Sequence, residues 1–176
     1  MGTVPAPSHR GGLTRSPFWN RLMADRLHIK ILTAEKILCD REAAMVVAPA
    51  WEGEMGILPE HIPFLCALDT GVLRIKDAPG ADAREEVYAL HGGFLRVYED
   101  DILILATAAE RRDAIDLERA KKAKARAEER LQKRDRPELD VERAEAALRR
   151  AFVRLQVAEG RWMEIATAQE DSTHKV

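Results

Sequence analysis

Short runs of alternating or continuous apolar residues follow one another between residues 28 and 106. Side chains of a β-strand point to opposite faces in turn, so such runs predict strands that are buried on at least one face. The predicted strands cover 28–32, 43–50, 72–76, 87–90, 94–98 and 102–106. Turn-forming residues separate them at 52–54, 69–71, 77–80, 92–93 and 99–101. Short, closely spaced strands predict a β-sandwich or barrel, and the expected form is an N-terminal antiparallel β-sandwich over residues 25–109.

The hydrophobic period changes to that of a helix after Ala109. The run 115–134 is rich in Ala, Lys, Arg and Glu, which are strong helix formers, and Asp113 or Asp116 can cap its start. Pro137 fits the first turn of a second helix. Two antiparallel helices over 110–166 complete an α+β fold.

Apolar residues in the second helix recur at spacings of three and four, which is typical of a packed helix pair. They are Val141, Ala144, Leu148, Ala151, Leu155, Ala158, Trp162 and Ile165. The first helix has a weaker seam, formed by Leu117, Ala120, Ala127 and Leu131 and interrupted by Lys124. Because alanine buries little apolar area, such packing is weak. The hairpin is therefore predicted to be able to detach from the body and open.

The two ends of the chain differ from the rest. Residues 1–22 hold arginine, proline and glycine but no acidic residue, which predicts a disordered extension over residues 1–24. Residues 167–176 are predicted to form a flexible tail. The same N-terminal composition also describes a cleaved transit peptide, and Met23 offers an alternative start of the chain.

Charge divides the chain in the same way as hydrophobicity. Acidic residues outnumber basic ones in 23–109, whereas basic residues outnumber acidic ones in 110–165, and the formal net charge is −2. This balance argues against a general nucleic-acid binder. Because no apolar run approaches the roughly 18 residues of a bilayer span, any membrane association is expected to come through a partner.

Motifs of known enzymes are missing from the sequence. It contains no G-x-x-x-x-G-K, no G-x-S-x-G and no H-E-x-x-H, and its five histidines have no metal-ligand spacing. Cys39 and Cys66 lie in apolar runs and are predicted to be buried thiols. The chain is therefore predicted to be a non-catalytic interaction module without a metal site or a cofactor.

A candidate anion site lies in the helical segment. Asp116 can cap the first helix or accept a hydrogen bond from an adenine amino group, and Arg119 follows one turn later. Arg150 and Arg154 are four residues apart and share a helix face. Three converging arginines could hold a triphosphate through charge-assisted hydrogen bonds. The alternative is a solvated face with weak ion pairs.

Several motifs, in the same order, resemble the epsilon subunit of the F-type ATP synthase in its bacterial form. Residues 52–63, E-G-E-M-G-I-L-P-E-H-I-P, resemble the family's G-E-L-G-I-L-P-G-H-x-P, with Met55 and Glu60 as departures. The strands G-G-F-L-R-V and I-L-I-L-A also resemble those of the family, and I-D-x-x-R-A at 115–120 matches its I/L-D-x-x-R-A. The resemblance covers roughly residues 27–162. The change from the family's glycine to Glu60 matters only if the backbone at this position needs a positive φ.

The resemblance implies a peripheral, non-catalytic subunit on the cytoplasmic face of the bacterial inner membrane. The sandwich would bind the gamma subunit and the c-ring and pass proton-driven rotation to the catalytic alpha/beta head. The hairpin would fold against the sandwich or extend into the head and block ATP hydrolysis, and in some members ATP holds it folded. The implied regulatory ATP site is Glu110, Ile115, Asp116, Arg119, Ala120, Arg150 and Arg154. The implied c-ring-facing loop is Glu52, Gly53, Glu54, Met55, Gly56 and His61.

Two other interpretations stay open from the sequence. The chain could be a β-sandwich adaptor that dimerises through a coiled coil. It could also be an organellar homologue, with residues 1–22 as its targeting segment.

Overall fold

The computed structural model describes residues 26–78, 83–132 and 140–161. Eight strands come first: β1 (Leu27–Leu32), β2 (Ile37–Ala43), β3 (Met45–Ala50), β4 (Gly53–Ile57), β5 (Phe64–Lys76), β6 (Glu85–Tyr98), β7 (Asp101–Ala106) and β8 (Ala109–Arg111). A 3-10 turn (Arg112–Ala114) leads into helices α1 (Leu117–Gln132) and α2 (Val141–Glu159). The predicted β body followed by two helices is confirmed. The N-terminal extension, the C-terminal tail, Pro137, Trp162 and Ile165 lie outside the described residues.

The long strands β5 and β6 join two halves of the sheet. The strand order is β2-β1-β7-β6-β5-β3-β4, and β8 pairs with β6. Residues 93–98 of β6 pair with β7, whereas residues 88–90 pair with β8. Pairing is antiparallel throughout except between β1 and β7, which run parallel. The first half comprises β2, β1, β7 and the adjoining ends of β5 and β6, and the second half comprises the other ends with β3, β4 and β8.

One apolar core joins both halves of the sheet. Fully buried residues from β1, β5, β6 and β7, such as Ile29, Leu73, Tyr88 and Ile104, belong to a single cluster. In β1 and β7 these positions alternate with exposed or half-buried ones, as a two-layer sandwich requires. The low aromatic content is consistent with this core, which is built mainly from Ile, Leu, Val and Ala.

The turn predicted at Gly92 and Gly93 was wrong, because β6 runs through both residues without a break. Their φ values are 78° and 139°. A Cβ added to Gly93 would lie 2.2 Å from the carbonyl oxygen of Leu105. The glycines thus let the strand bend closely against β7 as it passes from one half of the sheet to the other.

Four strand segments were absent from the prediction: β2, β4, β8 and the first eight residues of β5, which include the turn predicted at 69–71. β4 reads G-E-M-G-I and holds two glycines, which have low strand propensity. Its register comes from five antiparallel pairs with β3, from Val46–Ile57 to Ala50–Gly53. Tertiary pairing rather than local preference therefore forms this strand.

Both helices begin at the aspartates that local rules favour. An Asp116 carboxylate oxygen accepts a hydrogen bond from the backbone N–H of Arg119 at 3.0 Å. Asp140 accepts one from the N–H of Arg143 at 2.9 Å. Gly160 ends α2 in a left-handed conformation. Among the helices that the structure describes, none combines the length and the apolar character that crossing a bilayer requires.

The two helices pack along their alanines. Ala120 and Ala127 of α1 are buried, as are Ala144, Ala151 and Leu155 of α2. This agrees with the predicted seam. The structure adds a second apolar stripe, Val153 and Val157, on the opposite side of α2. That stripe faces the sheet, so α2 is packed on two sides.

Glu60 replaces the glycine of the family signature at a position where the backbone is left-handed, with φ at 63°. Its backbone N–H donates to a carboxylate oxygen of Asp100 at 2.9 Å, which helps hold this conformation. A side chain in the left-handed region costs about 1–2 kcal/mol. The departure from the family pattern therefore carries a local strain.

Glu60→Gly is expected to be more stable than Glu60→Ala by about 1 kcal/mol, because both lose the side chain and only glycine relieves the backbone. Denaturant unfolding of the two variants measures the difference. At an ordinary position alanine gives the more stable protein. Equal stability, or a more stable Glu60→Ala, would contradict the strain.

Candidate functional site

Helix α2 lies on the outer face of the second half of the sheet. Val153 and Val157 pack against Val72 of β5 and against Val87 and Ala89 of β6, and the half-buried Ile115 closes this cluster. Here α2 supplies the main contact to the sheet, and α1 packs mainly on α2. The apolar part of the contact between body and hairpin is therefore a cluster of small side chains, separate from the sandwich core.

An ion pair supplements this apolar contact. The Arg154 guanidinium donates to one carboxylate oxygen of Glu110, from Nε at 2.7 Å and from Nη2 at 2.6 Å. Glu110 lies in β8 and Arg154 in α2, so the pair joins the body directly to the hairpin. The two side chains are 34% and 27% exposed, which places the pair at the margin of the interface. Two charge-assisted bonds to one acceptor are stronger than a neutral hydrogen bond.

His91 lies beside this pair and is almost completely enclosed. Its side chain is 2% exposed, and its Nε2 lies 3.8 Å from the nearer oxygen of Glu110, which is too long for a hydrogen bond. Neither ring nitrogen has a hydrogen-bond partner among the described residues. Burial, followed by the charge of Arg154, lowers the pKa of His91 to about 4. Sequence reasoning treated this histidine as an ordinary strand-end residue.

The structure brings together only part of the predicted nucleotide set. Glu110 contacts Arg154, and Arg150 is close enough to affect the charge of His91. Ile115 joins the apolar interface, and Ala120 is buried in the helix pair. Asp116 acts as the helix cap, and the Arg119 side chain is exposed in the first turn of α1.

A charged cleft of about 860 Å³ lies at the root of the hairpin, between β2, β6, the 3-10 turn and the helices. Its charges are largely paired. Arg41 contacts Asp77 at 2.7 Å and Glu86 at 3.1 Å, and Arg111 contacts Glu86 at 3.3 Å and also pairs with Asp113. This chain of ion pairs anchors β8, so the point where the hairpin leaves the body is fixed. No sequence motif indicates it, because its members are far apart in the chain.

The six residues predicted to face the c-ring do not form one loop. Glu52 lies in the β3–β4 turn, the four residues Gly53 to Gly56 belong to β4, and His61 lies in the next loop. Glu54 forms an ion pair with the nearly buried Arg74. The pairing of β4 with β3 explains the difference, since it turns a predicted loop into an edge strand.

Two family models match this chain. The model described as "ATP synthase, Delta/Epsilon chain, beta-sandwich domain" matches residues 26–112. The model described as "ATP synthase, Delta/Epsilon chain, long alpha-helix domain" matches residues 113–159. Together they cover most of the chain. The chain belongs to the ATP synthase delta/epsilon family. The boundary between the two models falls at the 3-10 turn, where the structure also changes from strands to helices.

Bacterial epsilon chains are among its relatives. It is 46% identical over 112 residues to the ATP synthase epsilon chain of Carboxydothermus hydrogenoformans, covering 64% of this chain and 81% of the relative. It is 47% identical over 108 residues to that of Moorella thermoacetica, covering 61% and 78%. These relatives confirm the resemblance first indicated by the I-D-x-x-R-A and E-G-E-M-G-I-L-P motifs.

Solved structures of ATP synthases contain the same fold. A chain of the Euglena gracilis mitochondrial ATP synthase superimposes with a TM-score of 0.63 at 25% identity, covering 76% of this chain and 81% of that one. A chain from the Tetrahymena thermophila mitochondrial enzyme gives a TM-score of 0.50 at 14% identity, covering 78% and 96%, and shows the fold alone. The fold of this chain thus also occurs in chains of ATP synthase assemblies whose sequences are distant from it.

Arg154→Met in this epsilon-type chain is expected to weaken hairpin docking by about 1–2 kcal/mol, or roughly tenfold, because methionine keeps the packing and loses both bonds to Glu110. Spin labels are attached at Glu42→Cys in β2 and Ala125→Cys in α1, and Cys39→Ala and Cys66→Ala prevent labelling elsewhere. The distribution of distances between the two labels gives the fraction of chains in which the hairpin is docked. We call these positions the label pair. Arg143→Met, an exposed arginine of the same helix, is the matched control. Equal docking in both variants would rule out a role for the ion pair.

Proposed function

We propose that this chain is the epsilon subunit of the central stalk of a bacterial proton-translocating F-type ATP synthase. It is a non-catalytic subunit that couples rotation to the catalytic head and restrains ATP hydrolysis through its hairpin. The observation that carries the regulatory part is the way the hairpin is held. One helix, α2, makes the main contact with the body, through a small valine cluster and the Glu110–Arg154 pair.

This interface is suited to a switch between two positions. The sandwich core is a separate cluster, so the hairpin can leave without exposing Leu73, Tyr88 or the other fully buried residues of that core. The ion-pair chain around Arg41, Glu86 and Arg111 keeps the root of the hairpin in place. A bistable element of this kind needs only a few kcal/mol between its states. The released hairpin is basic and would meet the acidic surface expected in the catalytic head.

The outer face of the first half of the sheet offers a surface for the gamma subunit. Directly paired residues form an apolar row across five strands: Ala67, Phe94, Leu105, Leu32 and Ile37. Phe94 is 56% exposed, Leu105 51% and Ile37 56%. A contiguous exposed apolar patch on a folded domain marks an interaction site. We assign this row to gamma because it lies on the side of the sandwich that the hairpin leaves uncovered.

The loops around the signature segment are the candidates for contact with the c-ring. Trp51 is 85% exposed in the β3–β4 turn, and Ile62 is 73% exposed beside His61. Exposed apolar loop tips suit a stable protein partner better than bulk water. This contact would place the chain at the cytoplasmic face of the bacterial inner membrane, held there by its partners.

The I-D-x-x-R-A segment and the α2 arginines are proposed to form a regulatory ATP site that stabilises the docked hairpin. Arg119, Arg150 and Arg154 supply three guanidinium groups, and Glu110 and Asp116 supply acceptors. ATP can shift the hairpin only by binding the docked form more tightly, which a site composed of β8, α1 and α2 residues provides. Without a phosphate-cradling loop the chain is expected to bind ATP and not to hydrolyse it.

A dimerising adaptor is disfavoured by the same geometry. Coiled-coil dimerisation would use the alanine seams of the two helices, and Ala120, Ala127, Ala144 and Ala151 are already buried within the chain. Family membership adds to this preference for the stalk subunit.

Two variants should change ATP hydrolysis of the assembled complex in opposite directions. A chain that ends after Ala114 keeps β8 and removes the hairpin, so hydrolysis is expected to rise severalfold. Arg154→Met favours the released hairpin and should lower hydrolysis, whereas Arg143→Met should match the unmodified complex. Steady-state ATPase assays measure all four complexes, each with its epsilon content checked.

Unchanged hydrolysis in the truncated complex would contradict the inhibitory role. A rise with Arg154→Met would contradict the claim that the released form inhibits.

Arg119→Ala is expected to weaken ATP binding to the full chain about tenfold or more, since a charged contact contributes about 1.5–3 kcal/mol. Arg126→Ala is the matched control, because Arg126 is exposed on nearly the same face of α1, two turns further on. Isothermal titration calorimetry with Mg²⁺ and ATP compares the two. No ATP binding to the unmodified chain at millimolar concentration, or equal loss in both variants, would refute the nucleotide site.

A further inference from the structure

Among the described residues, His91 is the one buried side chain of the body–hairpin interface whose polar atoms have no hydrogen-bond partner. It lies in β6, where its cross-strand neighbour in β5 is Thr70. The ring is enclosed beneath α2, with a side-chain exposure of 2%, and both nitrogens lack a hydrogen-bond partner among the described residues. A buried polar ring without a partner costs stability, so it calls for an explanation beyond packing.

The charged groups around the ring come from two elements that separate when the hairpin leaves. Arg154 and Arg150 belong to α2, and Glu110 belongs to β8. Glu110 is already engaged, because it accepts both bonds from Arg154. On β5 the nearest acid in sequence to Thr70 is Asp69, whose carboxylate accepts from the Thr70 backbone N–H at 2.6 Å. In the docked form the ring is thus close to the charges of Arg150 and Arg154, and the Glu110 carboxylate beside it is already bonded to Arg154.

We propose that His91 is a proton sensor for the hairpin, such that protonation of its ring and docking of α2 exclude each other. In the docked form a proton on the ring would be buried beside two guanidinium groups. Release of α2 removes both arginines and exposes the ring to water. Glu110 stays, since it belongs to the body, and loses the arginine with which it was paired. A protonated His91 can then pair with Glu110 across the edge of the sheet.

The direction of the pH effect follows from these environments. The pKa of His91 is lowered from 6.5 to about 4 in the docked form, first by burial and then by Arg154. In the released form the ring regains an ordinary or a raised pKa, because Glu110 remains near. Docking is therefore strongest above about pH 6.5 and weakens as the pH falls from there towards 4. Between pH 7.5 and 5.5 the docking equilibrium constant is expected to fall about tenfold.

This coupling has a consequence for the enzyme if the proposed function holds. Acidification on the side of the membrane where the stalk lies would favour the released hairpin and so restrain ATP hydrolysis. The coupling itself is a property of the isolated chain. It can therefore be tested, and can fail, independently of any effect on the catalytic head.

The first test measures docking in the full chain with the label pair at pH 7.5, 6.5 and 5.5. The docking equilibrium constant of the unmodified sequence is expected to fall about tenfold across this range. His91→Gln, which cannot be protonated, should change it less than twofold. His61→Gln is the matched control, because His61 lies in a loop of the body, and it should behave like the unmodified sequence. An equal pH effect in His91→Gln would overturn the proposal.

The second test remains informative if nearly all chains stay docked at every pH, so that the label distance does not change, or if His91→Gln does not fold. Nuclear magnetic resonance follows the His91 imidazole of the full chain against pH. We expect a midpoint well below 6 in the unmodified chain and a higher one, by more than one unit, in Arg150→Met/Arg154→Met. Arg143→Met should leave the midpoint where it was. A midpoint near 6.5 in the unmodified chain, or no rise in the double variant, would overturn the proposal.

Discussion

The contact between α2 and the outer face of the second half of the sheet determines what this chain can do. It rests on Val153 and Val157, which pack on three small residues of β5 and β6, and on the Glu110–Arg154 pair. Because this cluster is separate from the sandwich core, the hairpin has its own stability, small beside that of the body. A stronger interface would fix the hairpin permanently, and a weaker one would leave it released. The proposed regulatory role depends on this intermediate strength.

The body is built to remain intact when that contact breaks. Strands β5 and β6 run through both halves of the sheet, and the glycines at 92 and 93 let β6 bend without interruption. The ion-pair chain from Asp77 through Arg41, Glu86 and Arg111 anchors β8 at the base of the hairpin. The chain thus combines a body anchored by ion pairs with a separately packed hairpin. The body is suited to the proposed transmission of rotation, and the hairpin to the proposed response to nucleotide and to protons.

The sequence was sufficient for the architecture and for naming Asp116 as one of two candidate caps of α1, since alternation, helical period and the capping preference of aspartate are local signals. It was not sufficient for β4, whose glycine-rich segment becomes a strand only by pairing with β3. The second stripe of α2 was missed because Val153 and Val157 are too few to form a visible period. In the candidate site, I-D-x-x-R-A indicated the start of α1, whereas the burial of His91 between β8 and α2 depends on tertiary contacts that no motif records.

The distance between the label pair, measured in the isolated chain and again in the assembled ATP synthase, shows whether the hairpin moves between two positions. A switching hairpin gives a single docked distance in the isolated chain at pH 7.5 with ATP. In the complex without ATP it gives a second, longer distance, whose share rises as ATP hydrolysis falls. A docked distance alone in a complex whose hydrolysis is inhibited would rule out inhibition by a released hairpin.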